Sequence, residues 1–400
     1  MVRRLLPVYF VVFLGYIGYS LFLTIFAPAI LNDNFLGYSE SRRILLLGVL
    51  IFLYPFGQFL SSPVLGAMSD RFGRKPLLLY SLAVTACVYV FIGICLIHRW
   101  IIPLMACLFV AGLSEGNITI AQSAVADVSD RKSRHRMFGY IYFAASCSYI
   151  VGPILGGWLS TVLINGSPSY ELPFLIVAGM LLLSFFWILF SFKETAPRHV
   201  HVSYFEGVTN IKNLFTMKKL RFWFFVNFIL YLASFGFLQG FPVYVVAQYG
   251  VQVGKLSLMI AWTDIPFIIV NLFFIGHLAR KFKIVNLLMI LSAALGVMML
   301  MMLLPRHENY LWPLLLGQGF CVAVILPLSS SLISLMARDD QQGRVMGINQ
   351  SLNFFTEAIS GLAVGLLAAA YVKLAIFTLG LMGFLAVWLL FEKRNFVHKT

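Results

Sequence analysis

Three carboxyl groups lie inside long apolar stretches of this 400-residue chain, where charged side chains are rare. They belong to Glu115, Asp264 and Glu357. Keeping such a group ionised near the centre of a membrane costs about 2.5–3.5 kcal/mol. No Lys or Arg lies at comparable depth to offset that cost, whereas protonation removes it. We interpret the three residues as candidates for carrying protons or attracting a cationic substrate. The alternative is a protonated group that only hydrogen-bonds between helices.

The stretches around these acids have the length of membrane-spanning helices. The chain is 60% hydrophobic and 11% charged, whereas water-soluble domains carry about 25% charged residues. A helix of about 20 apolar residues crosses the hydrocarbon core of a bilayer. Twelve segments meet this requirement: Leu6–Leu31, Ile44–Met68, Pro76–Ile97, Ile101–Ala126, Met137–Ile164, Leu172–Phe192, Phe222–Tyr249, Leu256–Ala279, Ile284–Leu304, Tyr310–Met336, Val345–Ala370 and Val372–Phe391.

The basic residues are distributed as in a membrane protein. When the amino terminus is placed inside, the inner loops hold 23 of the 29 Lys and Arg residues. The positive-inside rule explains this asymmetry, and with it the net charge of +14, without a nucleic-acid partner. We expect an even number of helices with both termini cytoplasmic, in the inner membrane of a bacterium.

A charged loop separates the second and third segments. It reads Gly66-Ala-Met-Ser-Asp70-Arg71-Phe-Gly73-Arg74-Lys75. The Asp70 carboxylate lies at the cytoplasmic end of a helix, where it can pair with Arg71, Arg74 or a base from another loop. It can also accept backbone N–H groups at a helix amino terminus. The alternative is that the loop only determines topology and makes a tight turn at Gly73.

The fifth segment carries a run of small residues around a proline: Ser148, Gly152, Pro153, Gly156 and Gly157. Glycines let helices approach closely, and proline frees a backbone carbonyl and permits a bend. One interpretation, and the less specific one, is ordinary small-residue packing between helices.

Both motifs resemble those of the major facilitator superfamily of transporters. The charged loop fills every position of its signature G-x-x-x-D-R-x-G-R-[RK]. The fifth segment resembles the G-x-x-x-G-P-x-x-G-G motif of the antiporter branches, with Ser148 in place of the first glycine. A weak internal repeat, in which Gly361…Gly365 echoes Gly152…Gly156, agrees with the six-plus-six duplication of such folds.

The resemblance covers essentially the whole chain and implies an all-α polytopic membrane protein. Its twelve transmembrane helices would form two pseudo-symmetric six-helix bundles, residues 1–192 and 222–400. A cytoplasmic linker, residues 193–221, would join them. Apolar residues recur at helical spacing in this linker, which predicts an amphipathic helix on the inner membrane surface.

The resemblance also implies roles for single residues. Asp70 would dock the two halves on the cytoplasmic side, and Asp127 matches an acid that pairs with an arginine of the loop. Helices one, four, seven and ten would line the cavity, which favours Glu115 as the proton carrier. Drug antiporters usually place an arginine a few residues before the position of Gly112, and many place an acid in helix one. Both are absent here, so Glu115 or Glu357 must carry more of the coupling.

The other cavity candidates are neutral and polar or aromatic. They are Tyr16, Tyr19, Asn117, Asn227, Tyr231, Gln239, Gln318 and Asn353. Aromatic walls with a few carboxylates suit amphiphilic cations through stacking and cation–π attraction. Since the chain holds 38 Phe and 17 Tyr, the alternative for each aromatic residue is simple packing.

We predict a secondary active transporter that works by alternating access. It would export small amphiphilic, drug-like or cationic molecules in exchange for protons, as the tetracycline-efflux-like drug:proton antiporters do. We expect a monomer whose partners are substrate, protons and lipid, with no cofactor, metal site or enzymatic activity. The alternatives are transport of a specific polar metabolite, such as a siderophore or carboxylate, and a non-transporting membrane receptor on the same fold.

Overall fold

The computed structural model of the protein describes residues 2–32, 37–115, 117–128, 134–164, 167–195, 220–275, 278, 281–336 and 342–392. The amphipathic helix predicted in the linker lies almost wholly outside these residues.

The described chain is almost entirely helical. Its α-helices are α1 (Val2–Leu31), α2 (Glu40–Phe72), α3 (Arg74–His98), α4 (Ile101–Ser114), α5 (Asn117–Val128), α6 (Arg134–Ser160), α7 (Leu172–Ser191), α8 (Arg221–Tyr249), α9 (Val253–Ile269), α10 (Ile284–Met301), α11 (Trp312–Met336), α12 (Gln342–Ala370) and α13 (Val372–Glu392). A π-helical segment, Val270–Phe274, continues α9, and a 3-10 turn, Glu308–Leu311, precedes α11. Two antiparallel strands of two residues each, β1 (Leu163–Ile164) and β2 (Ser167–Pro168), form a small hairpin between α6 and α7.

Eleven spans within the described residues are long and apolar enough to cross a membrane. The predicted eighth segment is not among them: its α-helix has 17 residues and ends at Ile269, where the π-helical segment begins. Pro266, which has no backbone N–H, precedes this irregular turn. The Asn271 side chain donates to the Phe267 carbonyl at 2.9 Å. The all-α membrane fold is confirmed, and the eighth segment is less regular than its sequence pattern predicts.

The predicted fourth segment is also not one continuous helix. Helix α4 ends at Ser114, and Glu115 takes backbone angles of φ −81° and ψ 12° before α5 begins. The Ser114 hydroxyl donates to the Ala111 carbonyl at 2.9 Å. It also shares a 2.8 Å hydrogen bond with Thr85 of α3. Side-chain bonds of this kind compete with the helical ladder, and here they accompany a break in the middle of an apolar stretch.

The chain forms two compact units. The first comprises Met1–Ala29, Leu53–Val208 and Val253–Leu258, and the second comprises Ile30–Phe52, Thr209–Gln252 and Met259–Thr400. The bundle boundaries expected from the sequence stay a prediction.

Each unit has its own buried core. In the first, α3 packs along α7 and α4, and the middle of α1 is almost fully buried. In the second, α8 packs against α12 and α13, and α10 packs against α13. Glycine allows this last contact, because a Cβ atom on Gly296 would lie 2.9 Å from the Gly380 carbonyl oxygen.

Candidate functional site

Glu115 lies at the break between α4 and α5 with 1% of its surface exposed. The Tyr89 hydroxyl of α3 donates to its carboxylate at 2.5 Å, and the Tyr54 hydroxyl of α2 donates to the other carboxylate oxygen. Gln58 donates in turn to the Tyr54 oxygen at 3.2 Å. Among the described residues, no cationic side chain lies within ion-pair distance of this carboxylate. We call Glu115, Tyr54, Tyr89 and Gln58 the carboxylate cluster.

Aromatic rings enclose the carboxylate cluster. Tyr19 stacks on Tyr54 with ring centroids 5.5 Å apart. Phe22 contacts the rings of Tyr54 at 4.8 Å and Tyr89 at 5.9 Å. Phe174 of α7 meets the Tyr89 ring at 6.0 Å. The two hydroxyl donors are therefore held by close ring packing.

Backbone contact between α2 and α4 places Tyr54 next to Glu115. The Cα atom of Gly112 faces the Tyr54 carbonyl with no side chain between them. On the other helix, a Cβ atom on Gly57 would lie 2.8 Å from the backbone nitrogen of Leu113. Such proximity is possible only for glycine, and it brings the Tyr54 hydroxyl within reach of Glu115, which follows the last residue of α4.

The charged loop is organised around the guanidinium of Arg74, which is 7% exposed. Asp70 at the end of α2 accepts at 2.5 Å, and Asp127 of α5 accepts at 2.9 Å. The Ser69 hydroxyl accepts a third hydrogen bond from the same group. Arg74 thus joins α2, α3 and α5 on one side of the first unit.

The other residues of this loop lie around that centre. Arg71 lies over the Phe72 ring with its guanidinium carbon 5.2 Å from the centroid. Lys75 donates to the Leu189 carbonyl of α7 at 2.8 Å. Gly66 faces α5, where Thr119 would be 3.5 Å from an added Cβ atom.

The amino terminus of α3 has an unexpected acceptor. The Glu194 carboxylate, just beyond α7, accepts the backbone N–H groups of Arg74 at 2.8 Å and Lys75 at 3.1 Å. Asp70, which the sequence offered for such a role, pairs with the Arg74 side chain instead. Gly73 adopts φ +100°, and a Cβ atom there would lie 2.9 Å from the Glu194 carboxyl carbon. The turn therefore requires glycine for its backbone angle and for this contact.

Replacing Glu194 with glutamine should weaken the α3 cap. A carboxylate at a helix amino terminus is stabilising, and this one is exposed and screened, so we expect a loss of about 0.5–1 kcal/mol. The measurement is thermal unfolding of the purified protein at low and high salt. The difference from wild type should shrink at high salt, and a salt-independent difference would contradict an electrostatic cap. Exposed Glu392, changed to glutamine, is the matched control.

The small-residue motif of α6 packs against α1. The Ser148 hydroxyl donates to the Phe13 carbonyl at 2.8 Å. A Cβ atom on Gly152 would overlap the Ser20 hydroxyl and lie 3.3 Å from the Ile17 Cα atom. The serine thus keeps the close contact that the first glycine of the family motif would make.

The end of the same motif faces two helices. An added Cβ atom on Gly156 would lie 2.6 Å from the Leu21 side chain of α1. One on Gly157 would overlap Ser257 in the first turns of α9. Pro153 lies inside α6 and is buried.

The other two candidate acids lie in the second unit. Asp264 of α9 is 5% exposed, and its neighbour Thr263 contacts Gly319 of α11 through its carbonyl oxygen. Glu357 of α12 is 7% exposed. The Ser360 hydroxyl, one turn further, lies 2.8 Å from the Glu357 carbonyl oxygen and 2.7 Å from the side-chain oxygen of Gln239, and its one proton is available to either acceptor.

A neutral polar network joins three helices of the second unit. Asn227 of α8 donates to Asn349 of α12 at 2.9 Å. Asn349 donates to Tyr231 at 3.0 Å and to Ser330 of α11 at 3.2 Å. The Asn227 side-chain oxygen is buried without a hydrogen-bond partner in the described part of the chain. This network could accept a hydrogen bond from an additional donor.

The remaining cavity candidates differ in their surroundings. Tyr16 lies against the Tyr149 ring at 5.4 Å. Gln318 is fully buried and donates to the Met302 sulfur at 3.0 Å. Asn353 is half-buried on α12. The side chain of Asn117, the first residue of α5, lies outside the described part of the structure.

Sequence reasoning did not identify Tyr54, Tyr89 and Gln58 as partners of Glu115, nor Glu194 as the cap of α3. In the sequence, nothing distinguishes these two tyrosines from the other tyrosines among the 17 in the chain. Their role depends on which helices meet at the α4 break. In the described residues, no group of three or more His, Cys, Asp or Glu side chains could hold a metal ion.

Comparison with known proteins identifies the class to which this fold and its motifs belong. The family model of the Major Facilitator Superfamily matches residues 8–317 and 256–399. The chain therefore belongs to the Major Facilitator Superfamily. It is a multi-pass membrane transporter and not an enzyme, as the sequence motifs predicted.

Individual relatives are distant but extend over most of the chain. The class H tetracycline resistance protein of Pasteurella multocida is 26% identical, over 90% of this chain and 88% of its own length. Multidrug resistance protein 2 of Bacillus subtilis (strain 168) is 25% identical, over 88% of this chain and 86% of its own. The solved human organic anion transporter MFSD10 (TETRAN) matches with a TM-score of 0.68 and 22% identity, over 97% of this chain and 99% of that one. The predicted resemblance to drug-resistance transporters is confirmed.

Proposed function

We propose that this transporter exports small amphiphilic molecules in exchange for protons and that Glu115 is its proton site. The observation that carries the proposal is the carboxylate cluster, a buried acid bonded only to neutral groups among the described residues. Asp264 and Glu357, which are buried in the second unit, remain secondary candidates.

The cluster suits both protonation states of the acid. An ionised Glu115 accepts one O–H bond on each carboxylate oxygen. A protonated Glu115 can donate to one of the same tyrosine oxygens once that hydroxyl rotates, since a phenol both donates and accepts. In the described parts of the chain, no cationic side chain pairs with Glu115 to favour its charged form. A proton can therefore be gained or lost with little movement of heavy atoms.

The surroundings of the cluster favour a substrate with apolar and cationic parts. Rings of Tyr19, Phe22 and Phe174 lie within 6.0 Å of the tyrosine rings. Aromatic faces attract cations, and an acid strengthens the attraction. The names of the tetracycline and multidrug resistance relatives support drug-like cargo.

We also propose that both termini are cytoplasmic, in a bacterial inner membrane, and that the monomer is the working unit in lipid. The excess of basic residues in the inner loops supports this orientation, and the bacterial relatives support the membrane. Asp70, Arg74 and Asp127 would then lie at the cytoplasmic side, where a gating role for Asp70 stays a proposal.

The test uses inside-out membrane vesicles energised to an acid interior. A panel of lipophilic cations, carboxylate metabolites and siderophores is added, and proton release is followed with a pH-sensitive dye. We expect one or more lipophilic cations to release protons through the wild-type protein. Glu115→Gln should lose this release while remaining folded, because an amide can bond both tyrosines but cannot exchange a proton.

Three further variants complete the test. Glu392→Gln, which changes an exposed acid, should behave as wild type. Glu357→Gln and Asp264→Asn rank the secondary candidates. Proton release by Glu115→Gln at the wild-type rate would contradict the proton site, and release by carboxylates alone would contradict the substrate class.

A further inference from the structure

Two faces of helix α1 contact two different parts of the first unit. One face carries Ile17 and Ser20, which contact Gly152 in the antiporter-like motif of α6. The other face carries Gly18, Tyr19 and Phe22, which lie against the carboxylate cluster. The same helix turn therefore touches the α6 motif and the tyrosines that bind Glu115.

Gly18 makes the closest of these contacts. A methyl group at this position would overlap the Tyr89 hydroxyl, and it would lie 2.8 Å from Cζ and 3.0 Å from Cε2 of the same ring. Real Cβ atoms essentially never approach other atoms this closely. The absence of a side chain at residue 18 therefore leaves the space in which the Tyr89 hydroxyl lies.

The Tyr89 ring has little room to move elsewhere. It is fully buried, with Phe22 on one side at 5.9 Å and Phe174 on another at 6.0 Å. Its hydroxyl lies 2.5 Å from the Glu115 carboxylate. A small displacement of the ring would therefore lengthen or break this hydrogen bond.

We propose that Gly18 is a positioning residue for the proton site: it holds open the place from which Tyr89 donates to Glu115, and it links that bond to the α1–α6 contact. The inference rests on the proposed role of Glu115. Movement of α1 against α6 would change the position of residue 18 relative to Tyr89 and so the number of O–H donors on the acid. Donors to a carboxylate favour its ionised form, so such movement would change how tightly Glu115 holds a proton.

Among the described residues, two titratable groups are hydrogen-bonded to Glu115. Tyr54 of α2 and Tyr89 of α3 donate to the carboxylate, and Tyr19 of α1 lies behind Tyr54. From α7, the neighbour is the apolar ring of Phe174. Within the described chain, the tyrosine donors are thus the groups through which Gly18 can act on the acid.

The experiment is a mutant cycle read by infrared difference spectroscopy, which does not depend on transport. The C=O stretch of protonated carboxyl groups is followed across a pH series and assigned to Glu115 by its loss in Glu115→Gln. Tyr89→Phe removes one donor to the ionised form and should raise the protonation midpoint by about one to two pH units. Gly18→Ala should shift the midpoint in the same direction by a comparable amount.

The double variant Gly18→Ala/Tyr89→Phe decides the proposal. Tyr89→Phe removes the closest overlap with the added methyl group and also removes the hydrogen bond through which residue 18 would act, so the double variant should titrate as Tyr89→Phe alone. Gly179→Ala, at a position with no atom within 4 Å of the added Cβ atom, should titrate as wild type. Folding of the double variant but not of Gly18→Ala would also support the proposal.

An unchanged protonation midpoint in Gly18→Ala would overturn the positioning role of Gly18, and so would additive midpoint shifts in the double variant. Failure of both Gly18→Ala and Gly18→Ala/Tyr89→Phe to fold would also overturn it, because Gly18 would then be required for helix packing alone. These outcomes are separate from those of the proposed function. If the midpoints shift as expected but Glu115→Gln still exchanges protons for substrate, the positioning role stands and the proposed function fails.

Discussion

Replacing Gly112 with leucine is expected to prevent the first unit from folding. An added Cβ atom would overlap the Tyr54 carbonyl oxygen and lie 3.1 Å from the Gly57 Cα atom. Overpacking costs typically about 1–3 kcal/mol when side chains can adjust. Here the opposing atoms are backbone, so α2 and α4 must separate, and we expect a loss of about 3 kcal/mol or more. The yield of monodisperse protein after size-exclusion chromatography measures the effect.

A milder change at the same position should have a specific consequence for the site. Gly112→Ala should lower Tm and also weaken the bond between Tyr54 and Glu115, because Tyr54 lies on the displaced backbone. Gly179→Ala and Gly179→Leu are the matched controls, since residue 179 faces open space. A Gly112→Ala protein with the Tm of wild type would contradict the backbone contact.

Membrane spans could be predicted from this sequence because bilayer thickness imposes one strong requirement. The need for about 20 apolar residues per crossing is a local property of the chain. Eleven spans within the described residues are long and apolar enough to cross a membrane, although the fourth is broken at Glu115. Interruptions within spans are less local. The break at Glu115, for example, is accompanied by a hydrogen bond between Ser114 and Thr85, which lies on another helix.

The candidate site was predictable only in its local features. Buried acids stand out in an apolar segment, so Glu115 could be identified from its position alone. Its donors could not, because Tyr54 and Tyr89 come from two other helices and resemble every other tyrosine in the sequence. The cap of α3 also could not be predicted from the sequence, because Asp70 and Glu194 are both acids near a helix end. Only the packing of α7 beside α3 brings the Glu194 carboxylate to the backbone N–H groups at the start of α3.

Removing the charge of Arg74 is the second change with a large expected effect. Arg74→Met would leave Asp70 and Asp127 without their shared cation. Loss of one partner of a buried pair costs about 3–5 kcal/mol. The Asp70 side chain is 40% exposed and that of Asp127 19%, so solvent screening reduces the expected loss to about 2–3 kcal/mol. Thermal unfolding in detergent should show Tm lower by roughly 5–10 °C.

Two companion variants separate charge from geometry at Arg74. Arg74→Lys keeps the charge, but a single ammonium cannot serve Ser69, Asp70 and Asp127 in the planar arrangement of a guanidinium. It should therefore recover only part of the lost stability. Arg74→Met/Asp127→Asn removes the more buried of the two unpaired carboxylates, so it should be more stable than Arg74→Met alone. If the double variant were less stable than Arg74→Met, the Arg74–Asp127 bond could not account for the loss, and packing of the long arginine side chain between α2 and α5 would be the better explanation.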